Sequence, residues 1–145
     1  MKNRWLLEQD NEGEIYTLPS VDRATIDRVI GSFDGSARFY CCLCDTSDDS
    51  CLWCVGEPDR RIVEGRLIDG PRIRHFVLRR SSGGNRPVKV CYGAEPAEVV
   101  TVASAEILTA ADALSVFDAF HRDKSIPGDF EARPKVCLFG SNSSR

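Results

Sequence analysis

Five of the chain's seven cysteines fall in one stretch, CCLCDTSDDSCLWC, residues 41–54. Cys41 and Cys44 form one Cys-x-x-Cys pair, Cys51 and Cys54 a second, and Cys42 stands beside them. Four thiolates in two such pairs suit tetrahedral zinc, and nearby thiols also suit redox chemistry. A Cys-x-x-Cys arm binds metal by turning sharply so that both sulfurs converge. Here the arms, Cys41–Cys44 and Cys51–Cys54, hold no glycine or proline and consist of strand-favouring residues. Along a strand, side chains three residues apart point to opposite faces. If residues 45–50 close a hairpin, Cys44 lies opposite Cys51 on one face and Cys41 opposite Cys54 on the other. This predicts a thiol-rich hairpin that requires no metal and no cofactor, since buried free cysteine behaves as a small hydrophobe. A zinc site of Cys41, Cys44, Cys51 and Cys54, or a regulatory thiol pair, is the alternative.

Other candidates for chemistry are sparse. The two histidines are His75, in an arginine-rich strand-like run, and His121, at a helix end. A Cys91–His75 dyad has nothing local to activate the thiol. The segment Ser81-Ser-Gly-Gly-Asn85 lacks the lysine pattern of a phosphate loop and reads as a hairpin turn. An enzyme with an unrecognised site stands as a further alternative to a binding protein.

The elements that must position these residues follow from periodicity. Residues 4–8 and 14–18 read as strands around Asn11-Glu-Gly13. Ile26, Val29, Ile30 and Phe33 make one apolar stripe, predicting a helix over about 21–34 with Gly35 as its cap. Strand-like runs follow at 39–44, 51–55, 61–68, 73–79, 88–92 and 99–103, separated by turn signals short enough to favour antiparallel neighbours. Thr109 and Asp112 resemble a capping box for a second helix over about 109–122, with Ala113, Val116, Phe117 and Phe120 as its buried stripe. A last strand is expected at 136–139. The sum is one α+β domain over residues 1–140, with a single antiparallel sheet of about six to eight strands, two main helices and a polar tail at 141–145.

The chain has 145 residues and a net charge of −3, with charge unevenly spread. Residues 1–59 carry 12 acidic and 5 basic side chains, and residues 60–89 carry 9 basic and 2 acidic. That bipolarity suits an oppositely charged partner. The pI near 5.4 argues against direct nucleic-acid binding. The opening residues lack the apolar run of a signal peptide, and no stretch is long and apolar enough to span a membrane, so a cytoplasmic location with reduced thiols is expected.

The element order also carries a resemblance. The early helix 22–33, the hairpin 39–55, the Gly83-Gly84 turn, Glu98-Val-Val100 ahead of a helix, and the block Leu108–Phe120 followed by Ser125-Ile-Pro127 resemble the first immunity-protein family of bacterial polymorphic toxin systems. Its members are small cytoplasmic α+β proteins that neutralise secreted toxins, some of them DNA-cytidine deaminases. The resemblance implies a protein without an active site that binds a cognate toxin domain. The expected acidic contact surface is the hairpin tip, Asp45, Asp48 and Asp49, with Glu57 and Asp59 nearby. The same tip residues also serve as ordinary solvated turn formers.

Overall fold

The computed structural model describes residues 4–94 and 96–135. Strand β1 (Trp5–Asn11) turns back into β2 (Glu14–Thr17) through Glu12 and Gly13, both at positive φ (53° and 86°). That two-residue turn matches the right-handed twist of the strands it joins. Helix α1 (Arg23–Ile30) starts at Asp22, whose carboxylate accepts from the Thr25 amide. It ends at Gly31, earlier than the predicted Gly35, because the chain leaves the helix before Phe33. Gly35 instead takes positive φ in the following loop.

The remaining strands are β3 (Tyr40–Asp45), β4 (Ser50–Glu57), β5 (Arg60–Asp69), β6 (Arg72–Arg80), β7 (Pro87–Tyr92), β8 (Glu98–Ala103) and β9 (Phe130–Pro134), with helix α2 (Ala110–Asp123) before the last. Seven strands form one antiparallel sheet in the order β2-β1-β3-β4-β5-β6-β9, as expected for the α+β class. Two features differ from expectation. β7 and β8 leave the main sheet and pair only with each other, and β9 takes the free edge of β6. The predicted strand at 136–139 and the tail at 141–145 lie outside the described residues.

Each face of the sheet is covered differently. Helices α1 and α2 pack on one face around Leu7, Cys41, Leu43, Leu52, Cys54, Val63, Phe76 and Leu78, with Phe117 fully buried between. Thr109 caps α2 and Asp112 reaches back to the Thr109 amide, so the capping box holds with Asp in the Glu position. On the other face the β7–β8 hairpin covers only part of the surface, through Val90 on Ile62 and Val77. The part left open displays the β3–β4 hairpin. Among the described residues no helix is long and apolar enough to cross a membrane.

Candidate functional site: the β3–β4 hairpin and its two faces

The hairpin register pairs Cys41 with Cys54 and Cys44 with Cys51, as the alternation of side chains requires. The four-cysteine zinc site is therefore corrected: Cys41 and Cys54 face the helices and Cys44 and Cys51 the open side, so one ion cannot reach all four. The expectation of wholly reduced thiols is corrected too, because Cys44 and Cys51 are joined in a disulfide. A cross-strand pair of directly opposed residues brings the two β-carbons close enough for that bond.

The helix-facing pair is sealed. Cys41 and Cys54 are both fully buried, and burial holds the Cys41 thiol well above its ordinary range. Beside Cys54 lies Arg61, itself buried, stacked over the Phe33 ring at 4.0 Å. Arg61 Nε donates to the Glu57 and Pro58 carbonyls (2.8 and 3.0 Å) and Nη2 to Pro58 (2.8 Å). Gly56, at φ +139°, lets the chain pass against the Arg60 carbonyl, where a side chain would not fit, and so shapes the turn that aims Arg61 inward. A desolvated thiol of this kind is inert toward solvent reagents.

The open-face group is reachable. Its rows run Leu6–Cys44–Cys51–Arg66–His75 and Glu8–Cys42–Trp53–Glu64 across neighbouring strands. Cys42 Sγ lies 3.5 Å from Cys44 Sγ, and Arg66 Nη2 points at Cys51 Sγ at 3.4 Å. The sulfurs of Cys42, Cys44 and Cys51 all lie within 4.8 Å of one another. Burial pushes the Cys42 thiol up to about 11, with Tyr40 hydrogen-bonding against that rise.

The acidic tip is organised rather than free. Asp45 has a fully buried side chain whose Oδ2 accepts from Arg4 Nη2 at 2.8 Å and Lys124 Nζ at 2.6 Å, while Oδ1 accepts from Ser47. Burial opposes its ionisation, but the bonds from Arg4, Lys124 and Ser47 outweigh that and hold its carboxyl well below the usual range. Lys124 also reaches Asp48, 2.7 Å away, which accepts from the Ser50 amide as well. Glu57 accepts from the Cys91 amide and Asp59 from the Ala110 amide, extending the cap of α2. Of the five acidic residues expected to face a partner, Asp45 is thus enclosed within the fold, and Asp48, Glu57 and Asp59 hold internal amides. Asp49 is exposed.

Charge sorts across the sheet by strand position, which no local pattern in the sequence reveals. Strands β1, β2, β3 and β4 carry Glu8, Asp10, Glu14, Asp45 and Glu57 and no lysine or arginine; Asp10 and Asp45 are buried, so Glu8, Glu14 and Glu57 present this sign at the surface. Strands β5, β6 and β9 carry Arg60, Arg61, Arg66, Arg72, Arg74, Arg79, Arg80 and Arg133, against Glu64, Asp69 and Glu131. At the acidic end, β2 is an exposed edge strand presenting Ile15 (55% exposed) and Tyr16 (47%) beside Glu12 and Glu14. Charge blocks in the sequence were the available signal; the strand order converts them into two ends of one sheet.

The remaining candidates give less. No hydrogen bond joins Cys91 to His75 among the described residues; Cys91 sits in β7 beside Glu57, and His75 pairs across to Arg66. His121 packs at a tilt against Trp5, with ring centroids 5.2 Å apart. The 81–85 segment is not the hairpin turn expected, because β6 and β7 belong to different sheets; it packs on the segment before α2, with the Ala105 amide donating to the Gly84 carbonyl at 2.9 Å. A groove of about 460 Å³ between α1 and α2 holds Asp27 and Asp118 with Arg23. Burial and the neighbouring Asp27 carboxylate raise the Asp118 carboxyl, partly offset by Arg23.

No protein-family model matches this chain, and no curated protein matches it.

Proposed function

We propose that this protein is an immunity-type binding protein that engages the basic groove of a cognate toxin domain and blocks it. The observation that carries this reading is the bipolar sheet, whose acidic end terminates in the exposed strand β2, where Ile15 and Tyr16 follow directly on Glu12 and Glu14. An exposed edge can add a strand from a partner, its apolar side chains supply contact area, and the acidic surround steers a basic surface in. Enzymes acting on nucleic acid, deaminases among them, are commonly basic around the substrate groove, which this end would complement. The resemblance in element order supports the same class. The protein would act in the cytoplasm, meeting toxin that reaches its own cell.

Co-expression tests the reading. A toxin domain encoded beside this chain should kill cells alone and spare them when the two are made together. Unchanged killing, with no complex on a sizing column, refutes it. Within a confirmed complex, Glu12→Lys with Glu14→Lys should slow association about tenfold or more at low salt, the deficit shrinking as salt rises. Equal rates would move the interface away from β2.

A thiol-dependent role is the second reading, favoured by the three clustered sulfurs on the open face.

A further inference from the structure

The geometry points to a binding site for a soft, thiophilic metal ion, copper(I), formed by Cys42, Cys44 and Cys51 on the open face of the sheet when the Cys44–Cys51 disulfide is reduced. This site is independent of the toxin-binding reading and uses neither β2 nor the acidic edge.

Three observations support it. First, the sulfurs are already gathered: all three lie within 4.8 Å of one another, and Cys42 Sγ is 3.5 Å from Cys44 Sγ. An ion bound to three sulfurs at about 2.3 Å each in a trigonal plane needs them roughly 4 Å apart. Once the disulfide opens, small side-chain rotations at Cys44 and Cys51 reach that spacing without moving either strand. Second, the group contains three sulfurs and no fourth ligand: among the described residues no histidine or carboxylate joins it. Zinc favours four ligands in a tetrahedron, whereas soft thiolate ligands select copper(I), which three satisfy. Third, the surroundings suit the charge. Three thiolates around a monovalent cation leave an excess of two negative charges, and the Arg66 guanidinium beside Cys51 offsets one of them. Cys42 and Cys51 are only 7% and 5% exposed, which shields the ion from water, while half-buried Cys44 leaves a route of entry.

The chemistry balances in two steps. A dithiol reductant gives two electrons and two protons to the Cys44–Cys51 bond, becoming a disulfide itself and leaving two thiols. Copper(I) then displaces one proton from each of the three thiols as it binds, so uptake is coupled to proton release.

The experiment uses the full chain, reduced and kept free of oxygen, titrated with copper(I) against bicinchoninate as competing chelator. One copper(I) per chain should leave the chelator, with a thiolate-to-copper absorption band appearing in step. Cys42→Ser should weaken retention by about 100-fold or more, beyond what loss of an outer partner costs. Cys91→Ser and Cys41→Ser should retain the ion. Circular dichroism checks the fold of each variant. Oxidised wild-type protein supplies a second measurement free of mutation: its fold is intact and two ligands are tied up, so it should fail to take copper(I). Equal binding by Cys42→Ser or by oxidised protein would overturn the assignment. So would loss of the signal in Cys91→Ser, or zinc(II) displacing the bound copper(I) at equal concentration.

Discussion

Cys41 and Cys54 lie under the helices with no exposed surface, beside a buried arginine, while Cys44 and Cys51, three residues away on each strand, face outward and are bonded to each other. Both are pairs of cysteines directly opposed on the same two strands. The difference comes from the pleat and from what packs on each side: the helix face is closed by Phe117, Ile26 and Ile30, and the open face is only partly roofed by the β7–β8 hairpin. Reactivity of a cysteine is thus assigned by the face it occupies, and a motif count alone says nothing about it.

The largest expected contrast between the faces is in packing. Phe117→Ala should cost about 3–5 kcal/mol in denaturant melts, since the ring is fully enclosed, whereas Trp53→Ala on the half-buried open face should cost under about 2 kcal/mol. Equal losses would break the distinction.

Next in size is the tip where the two faces meet. Asp45→Asn leaves Lys124 and Arg4 without their shared carboxylate and should cost about 3 kcal/mol at neutral pH. Because the folded carboxyl titrates below its unfolded value, that stability is present above roughly pH 4 and is lost as pH falls through the folded value. Melts of wild type and Asp45→Asn should therefore differ by a constant amount down to about pH 5 and converge in strong acid. A gap that widens on acidification would contradict the depressed carboxyl.

Reduction of the Cys44–Cys51 disulfide should lower stability by at most about 2.5 kcal/mol, the chain-entropy value for so short a loop. Among the cysteines of the described residues, thiol titration of the native reduced protein should then report Cys91, Cys44 and slower Cys42 and Cys51, with Cys41 and Cys54 appearing only on unfolding. Smaller still is Cys41→Ala, about 1 kcal/mol from one lost buried atom, and smallest is Cys91→Ala, near zero on the exposed side of β7.

Much of this architecture was legible in local pattern. Alternation in 41–44 and 51–54 gave the hairpin register, and Thr109 with Asp112 gave the start of α2, because both depend on neighbours a few residues apart. Long-range partners were not legible. Nothing near Asp45 in the chain announces Arg4 or Lys124, so a turn-like Asp read as a surface charge. β9 is short, with Glu131 and Arg133 on its exposed side, and carries weak strand propensity; it forms because β6 offers an unpaired edge. β7 leaves the main sheet because Val90 finds apolar cover over Ile62 and Val77. The disulfide likewise required knowing that Cys44 and Cys51 share the open face.

The contacts of Asp45 tie together distant parts of the chain. Its partners stand 41 residues before it and 79 after it. Lys124 holds the left-handed conformation (φ 57°) that ends α2, a backbone state ordinarily favoured by glycine, and its ammonium closes on Asp45 and Asp48. Arg4, the hairpin tip and the end of α2 are therefore expected to open as one unit. In hydrogen exchange, the amides of Thr46, which donates to the Arg4 carbonyl, and of Lys124, which donates to Phe120, should share a single opening free energy that Asp45→Asn lowers at both places together.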